Sequence, residues 1–177
     1  MIKRLIILWA IINSYHVLPS LQSIEGYNLL NASKLQYSLK DRISVLIFLS
    51  KTCPCSNEYV PYLKNLQKTY PNILFLGIHS NKRIKKTEAQ VFYRNKSLNF
   101  PVIDDKKLFW AKKLQALKTP HVYVYQNGVR VYHGGIANSR FFKNAKTFYL
   151  EEVLVALVQR KNIPYSEGRA LGCYIQR

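Results

Sequence analysis

The sequence predicts an α/β domain in which a central mixed sheet has helices on both faces and ends in an antiparallel hairpin. Two short apolar runs, residues 43–49 and 73–78, have the length and composition of buried strands. A segment with helical spacing of apolar residues separates them, as is typical of parallel strands joined by a crossover helix. Near residue 127, an Asn-Gly pair lies between two alternating β-forming segments, which is the strongest short signal for a hairpin.

The first helix is predicted from residue 53 to about residue 70. Its apolar residues recur at spacings of four, three and four, which places them on one helix face. They are Tyr59, Leu63, Leu66 and Tyr70. We expect Pro61 to bend this helix and Pro71 to end it.

The remaining elements follow from the same periodicities. They are a basic helix near residues 84–96, an extended segment at 100–103, a helix at 106–117, strands at 122–125 and 129–132, and a helix at 147–160. The resulting order is β-α-β-α-β-α-β-β-α. The chain of 177 residues has no internal repeat and no linker, so it suits one domain. We place that domain at residues 35–160, followed by a tail at 161–177 that we expect to be flexible.

The first 23 residues have the pattern of an export signal. Lys3 and Arg4 form a short basic region, and residues 5–12 form an apolar region too short to cross a bilayer stably. Ser20 and Ser23 are candidate cleavage points, although no clear A-x-A pattern is present. The alternative is an uncleaved hydrophobic N-terminal anchor. Either way, the sequence predicts a periplasmic or otherwise exported protein, in a compartment where thiols pair or perform redox chemistry.

The formal net charge of +18 is strongly positive, and loss of Lys3 and Arg4 lowers it only to +16. Residues 81–96 carry six basic side chains and a single acidic one, Glu88. Such a surface can dock on anionic lipid, acidic proteins or nucleic acid. Export makes nucleic acid a poor partner, which leaves an anionic membrane surface, an acidic protein or a merely solvated basic face.

Cys53 lies where the first strand has ended and a helix is about to begin. The unpaired N–H groups and partial positive charge of a helix N-terminus stabilise a thiolate, which is the nucleophilic form of cysteine. Pro54 suits the first helical turn because its missing N–H would have no partner there. The pattern therefore indicates a reactive cysteine, with a buried structural cysteine as the alternative.

Cys55 has three interpretations. It can resolve a mixed disulfide at Cys53, although so small a ring departs from relaxed disulfide geometry. It can bind a metal together with Cys53, or it can be a small buried residue of the helix. Residues two apart on a regular helix point about 200° apart. The two cysteines can therefore pair only if the backbone is still irregular at Cys53.

Cys173 is the third cysteine of the chain, and an odd number cannot form a complete set of structural disulfides. A cysteine on a tail after the last helix can reach an active site on the same face of the domain. It would then condense with an oxidised Cys53 as a resolving cysteine. The alternatives are a disulfide with another subunit and a tail residue without a partner.

Several motifs in this order resemble the thioredoxin-like superfamily, and in particular its exported redoxin branch of peroxiredoxin-like and TlpA-like proteins. The resemblance covers about residues 35–175. The matching segments are Phe48 with Cys53-Pro54, Pro61, Phe100-Pro-Val-Ile-Asp-Asp105, Thr119-Pro120, the hairpin at Asn127-Gly128, and Gly168-Arg-Ala-Leu-Gly-Cys173-Tyr-Ile175. Each motif is short, and the specificity lies in their joint order and spacing.

The resemblance implies a site in which Cys53 is the nucleophile and Thr119 precedes a cis-Pro120 beside its sulfur. There an exposed backbone edge can pair with an extended substrate segment. The chain departs from the family pattern in having Ser56 where a Cys-x-x-Cys motif has its second cysteine. Residues 45–49 also lack the buried carboxylate of thioredoxins. Ser50, three residues before Cys53, matches the Thr or Ser of peroxiredoxins.

The leading hypothesis is an exported thiol–disulfide oxidoreductase without a cofactor, with protein thiols or disulfides as substrates and an unidentified electron donor. Cys53 would be resolved by Cys173 or Cys55. One alternative is a peroxiredoxin-like thiol peroxidase that acts on peroxide. A second is a copper-binding module that uses Cys53, Cys55 and a histidine, either His121 or His133. A third is a redox-silent scaffold that binds a partner through the basic face.

Overall fold

The computed structural model describes residues 19–177. The basic and apolar parts of the predicted export signal lie outside this range, so the signal stays a prediction. Ser20 forms an isolated bridge with Val129, and Ser23 opens the first strand. Leu21 between them is buried.

The structure contains nine strands and four α-helices in the described part of the chain. The strands are β1 (Ser23–Asn28), β2 (Ser33–Ser38), β3 (Ile43–Leu49), β4 (Leu74–His79), β5 (Val102–Asp104), β6 (Lys118–Thr119), β7 (His121–Gln126), β8 (Val129–Gly134) and β9 (Cys173–Tyr174). The helices are α1 (Pro54–Thr69), α2 (Lys86–Asn95), α3 (Phe109–Lys113) and α4 (Tyr149–Val158).

Seven strands form the main sheet in the order β2-β1-β5-β4-β3-β7-β8, and β6 with β9 forms a small second sheet. Strands β3, β4 and β5 are parallel to one another, whereas β7 runs antiparallel to β3 and β8 antiparallel to β7. This arrangement confirms the predicted mixed sheet with a terminal hairpin.

Both faces of the central strand β3 are covered. Val45, Ile47 and Leu49 point into a core shared with α1, α2 and α4. Leu46 and Phe48 point into a second core shared with α3. Because alternate residues of a strand face opposite sides, a strand buried on both faces has a continuous apolar run, which is the pattern that predicted it.

The N-terminal hairpin of β1 and β2 was not predicted, and it extends the folded domain upstream of residue 35. Its outer strand β2 is mostly exposed, so its sequence lacks a continuous apolar run. The hairpin is held by tertiary contacts instead. Ile24 is fully buried, and β1 pairs with β5.

The helix predicted at 106–117 is shorter in the structure. The Asp105 carboxylate accepts hydrogen bonds from the backbone N–H groups of Trp110 and Ala111 at 2.8 and 3.1 Å, which fixes the start of α3. Gln115 then adopts a left-handed conformation with φ of 57°, and α3 ends at Lys113.

The tail is packed against the domain rather than flexible. The Gly168 N–H donates to the His133 carbonyl at 3.0 Å, and the Ile175 N–H donates to the Leu117 carbonyl at 2.9 Å. The Lys82 N–H donates to the Gln176 carbonyl at 3.1 Å, and Ile175 is buried in the second core. The tail is therefore fixed on both sides of Cys173. Over residues 19–177, no helix is long and apolar enough to cross a membrane.

Candidate active site

Cys53 is the N-cap residue of α1. Its backbone is extended, with φ of −92° and ψ of 109°, and Pro54 is the first helical residue. The Ser56 N–H donates to Cys53 Sγ at 3.4 Å, and the Asn57 N–H donates to the Cys53 carbonyl at 3.1 Å. The thiol sits against the free N–H groups of the helix start and is only 1% exposed.

The sulfur atoms of Cys53, Cys55 and Cys173 all lie within 4.8 Å of one another. All three cysteines are free thiols. Because Cys53 precedes the first helical residue, its side chain does not follow the helical rotation that would separate it from Cys55. The structure thus provides the irregular backbone that pairing of these two residues requires, and it also brings in Cys173.

Strand pairing brings Cys173 to the site. β9 runs antiparallel to β6, with Cys173 opposite Thr119. The Thr119–Pro120 peptide bond is cis, and the Thr119 carbonyl accepts a hydrogen bond from Cys53 Sγ at 2.9 Å. A Cβ atom at Gly172 would collide with that same carbonyl oxygen. Glycine therefore lets the tail backbone lie directly against β6.

The three thiols differ in acidity. Burial raises the pKa of Cys53, but its thiolate form can accept from the neighbouring side chains of Cys173, Thr119 and Ser56 and from the Ser56 N–H. These donors outweigh burial, so this pKa lies below its ordinary value. Burial and the nearby Cys53 raise the pKa of Cys55. Burial and the adjacent Cys53 sulfur raise the pKa of Cys173 to about 12. Cys53 is therefore the most acidic of the three thiols.

Two hydroxyl groups next to this sulfur have no partner among the described residues. They are Ser56 Oγ and Thr119 Oγ1, and both are buried. A buried hydroxyl without a partner is costly, but a thiolate at Cys53 would accept from both. Ser56, in the place of the second cysteine of a Cys-x-x-Cys motif, is thus placed to donate to a thiolate at Cys53.

Replacing Ser56 with alanine is expected to raise the pKa of Cys53 because the thiolate loses a donor. In the unaltered protein, the lowered pKa keeps Cys53 ionised at lower pH. In the variant, the pH–rate profile for iodoacetamide labelling of Cys53 should therefore shift to higher pH. Mass spectrometry of the Cys53 peptide measures that rate. Ser50→Ala is the matched control and should leave the midpoint unchanged; an equal shift in both variants would contradict the assignment.

The hydroxyl of Ser50 is engaged away from the sulfur. It lies 3.3 Å from Thr52 Oγ1 and accepts from Asn81 Nδ2 at 3.0 Å. Sequence reasoning missed Asn81, although a signal existed. The carboxyl ends of parallel strands meet at one sheet edge, so polar residues just after β3 and β4 are expected to come together.

The predicted histidine ligands lie apart from the cysteines. His121 packs against Tyr123 and His133, with ring centroids 4.6 and 6.1 Å away, and burial lowers its pKa to about 4. In the described residues, the three cysteines form the one group of three potential metal ligands whose donor atoms lie this close. Neither His121 nor His133 completes a three-ligand site with Cys53 and Cys55.

A buried His79–Tyr93 pair near the site was also missed. His79 Nδ1 lies 3.0 Å from the Tyr93 hydroxyl, and burial lowers the pKa of His79 to about 4. Burial, and after it the negative charge of Cys53, raises the pKa of Tyr93, which places Tyr93 within electrostatic reach of the nucleophile. No sequence pattern marks a histidine at the end of a buried strand as a neighbour of a particular helix residue.

A mixed sheet with a cysteine at the start of α1 and a cis-proline facing its sulfur defines a thioredoxin-like fold. No protein-family model matches the chain, and no curated protein matches it in sequence. Solved structures do match. An uncharacterized conserved protein from Geobacillus kaustophilus has a TM-score of 0.81 and 20% identity, over 93% of this chain and 94% of that one.

Two partial matches are redox proteins. A thiol-disulfide oxidoreductase from Bacteroides fragilis has a TM-score of 0.56 and 22% identity, over 65% of this chain and 89% of that one. A secreted Mycobacterium tuberculosis disulfide oxidoreductase homologous to E. coli DsbE has a TM-score of 0.52 and 22% identity, over 60% of this chain and 79% of that one. Both are similar to this chain in fold.

Proposed function

We propose that this protein is an exported thiol–disulfide oxidoreductase in which Cys53 is the nucleophile and Cys173 the resolving cysteine. The observation that carries the proposal is the β6–β9 pairing, which holds the Cys173 sulfur beside the acidic thiol of Cys53. Two observations support export: the predicted export signal, and the similarity in fold to a secreted oxidoreductase of Mycobacterium tuberculosis.

The reaction proceeds in two exchanges. The Cys53 thiolate attacks one sulfur of a substrate disulfide, forming a mixed disulfide and releasing the other substrate sulfur as a thiolate. The Cys173 thiol then loses its proton, attacks the Cys53 sulfur and releases the second substrate thiolate. Two electrons pass from the protein to the substrate, and a Cys53–Cys173 disulfide remains. The same exchanges run in reverse when the protein oxidises a dithiol.

Cys173 suits the resolving role better than Cys55 does. A Cys53–Cys55 bridge would close a ring across the single residue Pro54, far from relaxed disulfide geometry. Cys173 comes from a separate strand and faces no such constraint. Its sulfur lies within 4.8 Å of the Cys53 sulfur in the reduced protein, which supports this role.

Substitution of Cys53 tests the proposal directly. Cys53→Ser should abolish reduction of a model disulfide such as dithionitrobenzoate, because a serine hydroxyl is not a nucleophile at neutral pH. Cys55→Ser is the matched control and should retain most of the activity. Equal activity of Cys53→Ser and the unaltered protein would overturn the proposal.

A thiol peroxidase is the second candidate, and the burial of Cys53 favours it. The tail occupies the β6 edge, and Cys53 is 1% exposed, so a small oxidant reaches the sulfur more easily than a protein does. The thiolate would attack one peroxide oxygen and break the O–O bond. This forms a sulfenic acid, and the other oxygen takes up a proton and leaves as water or, from an organic peroxide, as an alcohol. Attack by Cys173 would then release water and form the disulfide. Peroxide turnover with a thiol donor, lost in Cys53→Ser, would rank this candidate first.

The partners proposed for the basic face are an acidic protein or an anionic membrane surface, and not nucleic acid. The face comprises the exposed basic side chains Lys82, Arg83, Lys85, Lys86, Arg94 and Lys96. Lys51 and Glu88 form an ion pair at 3.0 Å at its margin. Exposed like charges of this density attract polyanionic surfaces at low salt. An acidic electron donor would fit such a surface.

A further inference from the structure

The three cysteines together form an arrangement that the disulfide exchange does not need. A dithiol reaction uses two sulfurs, yet three lie within 4.8 Å of one another. Cys53 and Cys55 come from the start of α1, and Cys173 comes from β9. Two of the side chains are almost fully buried, with Cys53 at 1% and Cys55 at 6% exposure.

The spacing of the sulfurs suits one metal ion at their centre. With metal–sulfur bonds of about 2.3 Å, three sulfurs in a trigonal plane lie about 4.0 Å apart. The observed upper limit of 4.8 Å requires the side chains to move by less than about 1 Å. Side-chain rotation of cysteine covers such a distance without moving the backbone.

The donor set selects the kind of metal. Thiolates are soft ligands that favour Cu(I) and Zn(II). Structural zinc almost always takes four protein ligands, and the described residues place no fourth cysteine, histidine or carboxylate with these three. Cu(I), by contrast, is commonly bound by three sulfur ligands. We therefore propose that the reduced protein binds one Cu(I) ion through Cys53, Cys55 and Cys173.

Binding would exchange protons for metal without any electron transfer. Three thiols lose three protons to three Cu–S bonds, so the Cu(I) centre carries two negative charges. The positive charge of Arg140 acts on Cys55 and offsets part of this excess. The burial of Cys53 and Cys55 shields the ion from solvent on their side of the site. A Cys53–Cys173 disulfide would remove two of the three ligands, so copper binding and the oxidised state exclude each other.

The proposal does not rest on the oxidoreductase activity, and its test needs no turnover. The untagged full chain, reduced and kept without oxygen, is titrated with Cu(I) in competition with bicinchoninate. We expect one equivalent to be withdrawn from the chelator and retained through gel filtration. X-ray absorption should show three sulfur neighbours at about 2.3 Å.

Substitutions distinguish this three-cysteine site from a copper site that has histidine as a ligand. Cys173→Ser should weaken Cu(I) binding at least tenfold and reduce the sulfur neighbours to two. His121→Ala, the matched control, should bind like the unaltered protein. Failure to compete with bicinchoninate would overturn the proposal. An unchanged Cu(I) affinity in Cys173→Ser would also overturn it. So would a nitrogen neighbour of copper that disappears in His121→Ala, or a protein that binds one equivalent of zinc and no copper.

Discussion

Replacing Cys173 with serine will trap the protein as a mixed disulfide with its substrate. The first exchange needs only Cys53, whose pKa stays low because the serine hydroxyl can still donate to the thiolate. The second exchange needs a thiol, and a serine hydroxyl does not attack a disulfide at neutral pH. We expect turnover to fall by about a hundredfold or more, within the range that loss of a catalytic nucleophile produces.

Intact mass measured without reductant shows the trapped adduct. In Cys173→Ser, the mass should rise by that of one substrate thiol, and Cys55→Ser should show no such increase. Non-reducing peptide mapping of the unaltered oxidised protein should join the peptides of Cys53 and Cys173. Accumulation of the adduct in Cys55→Ser alone would assign resolution to Cys55 instead.

Sequence patterns predicted the core of the fold because each core element has its pattern within one short stretch of sequence. Ile43–Leu49 is buried on both faces, so every residue of the strand except Ser44 is apolar. The Asn127–Gly128 turn uses positive φ at both residues, which few other pairs adopt readily. The β1–β2 hairpin had no such signal, since its stability comes from the pairing of β1 with β5 and from the burial of Ile24.

The sequence predicts the position of Cys53 in the candidate site better than that of Cys173. The helix start at Cys53 follows from the strand before it and the proline after it, which are neighbours in sequence. The position of Cys173 depends on pairing with Thr119, a contact between segments far apart in the chain. The one local trace of that contact is Gly172, since only a residue without Cβ allows the tail so close to the Thr119 carbonyl.

Gly172→Val is therefore expected to detach the tail from β6 and expose Cys53. The new side chain would collide with the Thr119 carbonyl oxygen. Overpacking typically costs about 1–3 kcal/mol. The backbone hydrogen bonds of the two-residue β6–β9 ladder are worth about 1 kcal/mol each, so the collision is large enough to open this ladder locally, while the buried Ile175 still holds the tail to the domain. Labelling of Cys53 by a bulky maleimide should then become about tenfold faster, since 1.4 kcal/mol is a tenfold change in an equilibrium.

Tyr174→Ala provides the matched control because this side chain is 69% exposed and its removal leaves the β9 backbone in place. It should label like the unaltered protein. In Gly172→Val, faster labelling should coincide with slower formation of the Cys53–Cys173 disulfide, because the two sulfurs are no longer held together. Labelling that stays slow while the disulfide forms at the normal rate would contradict a tail that covers the nucleophile. Faster labelling also tests access, since the β6 edge that the tail leaves is the surface on which an extended protein substrate can pair.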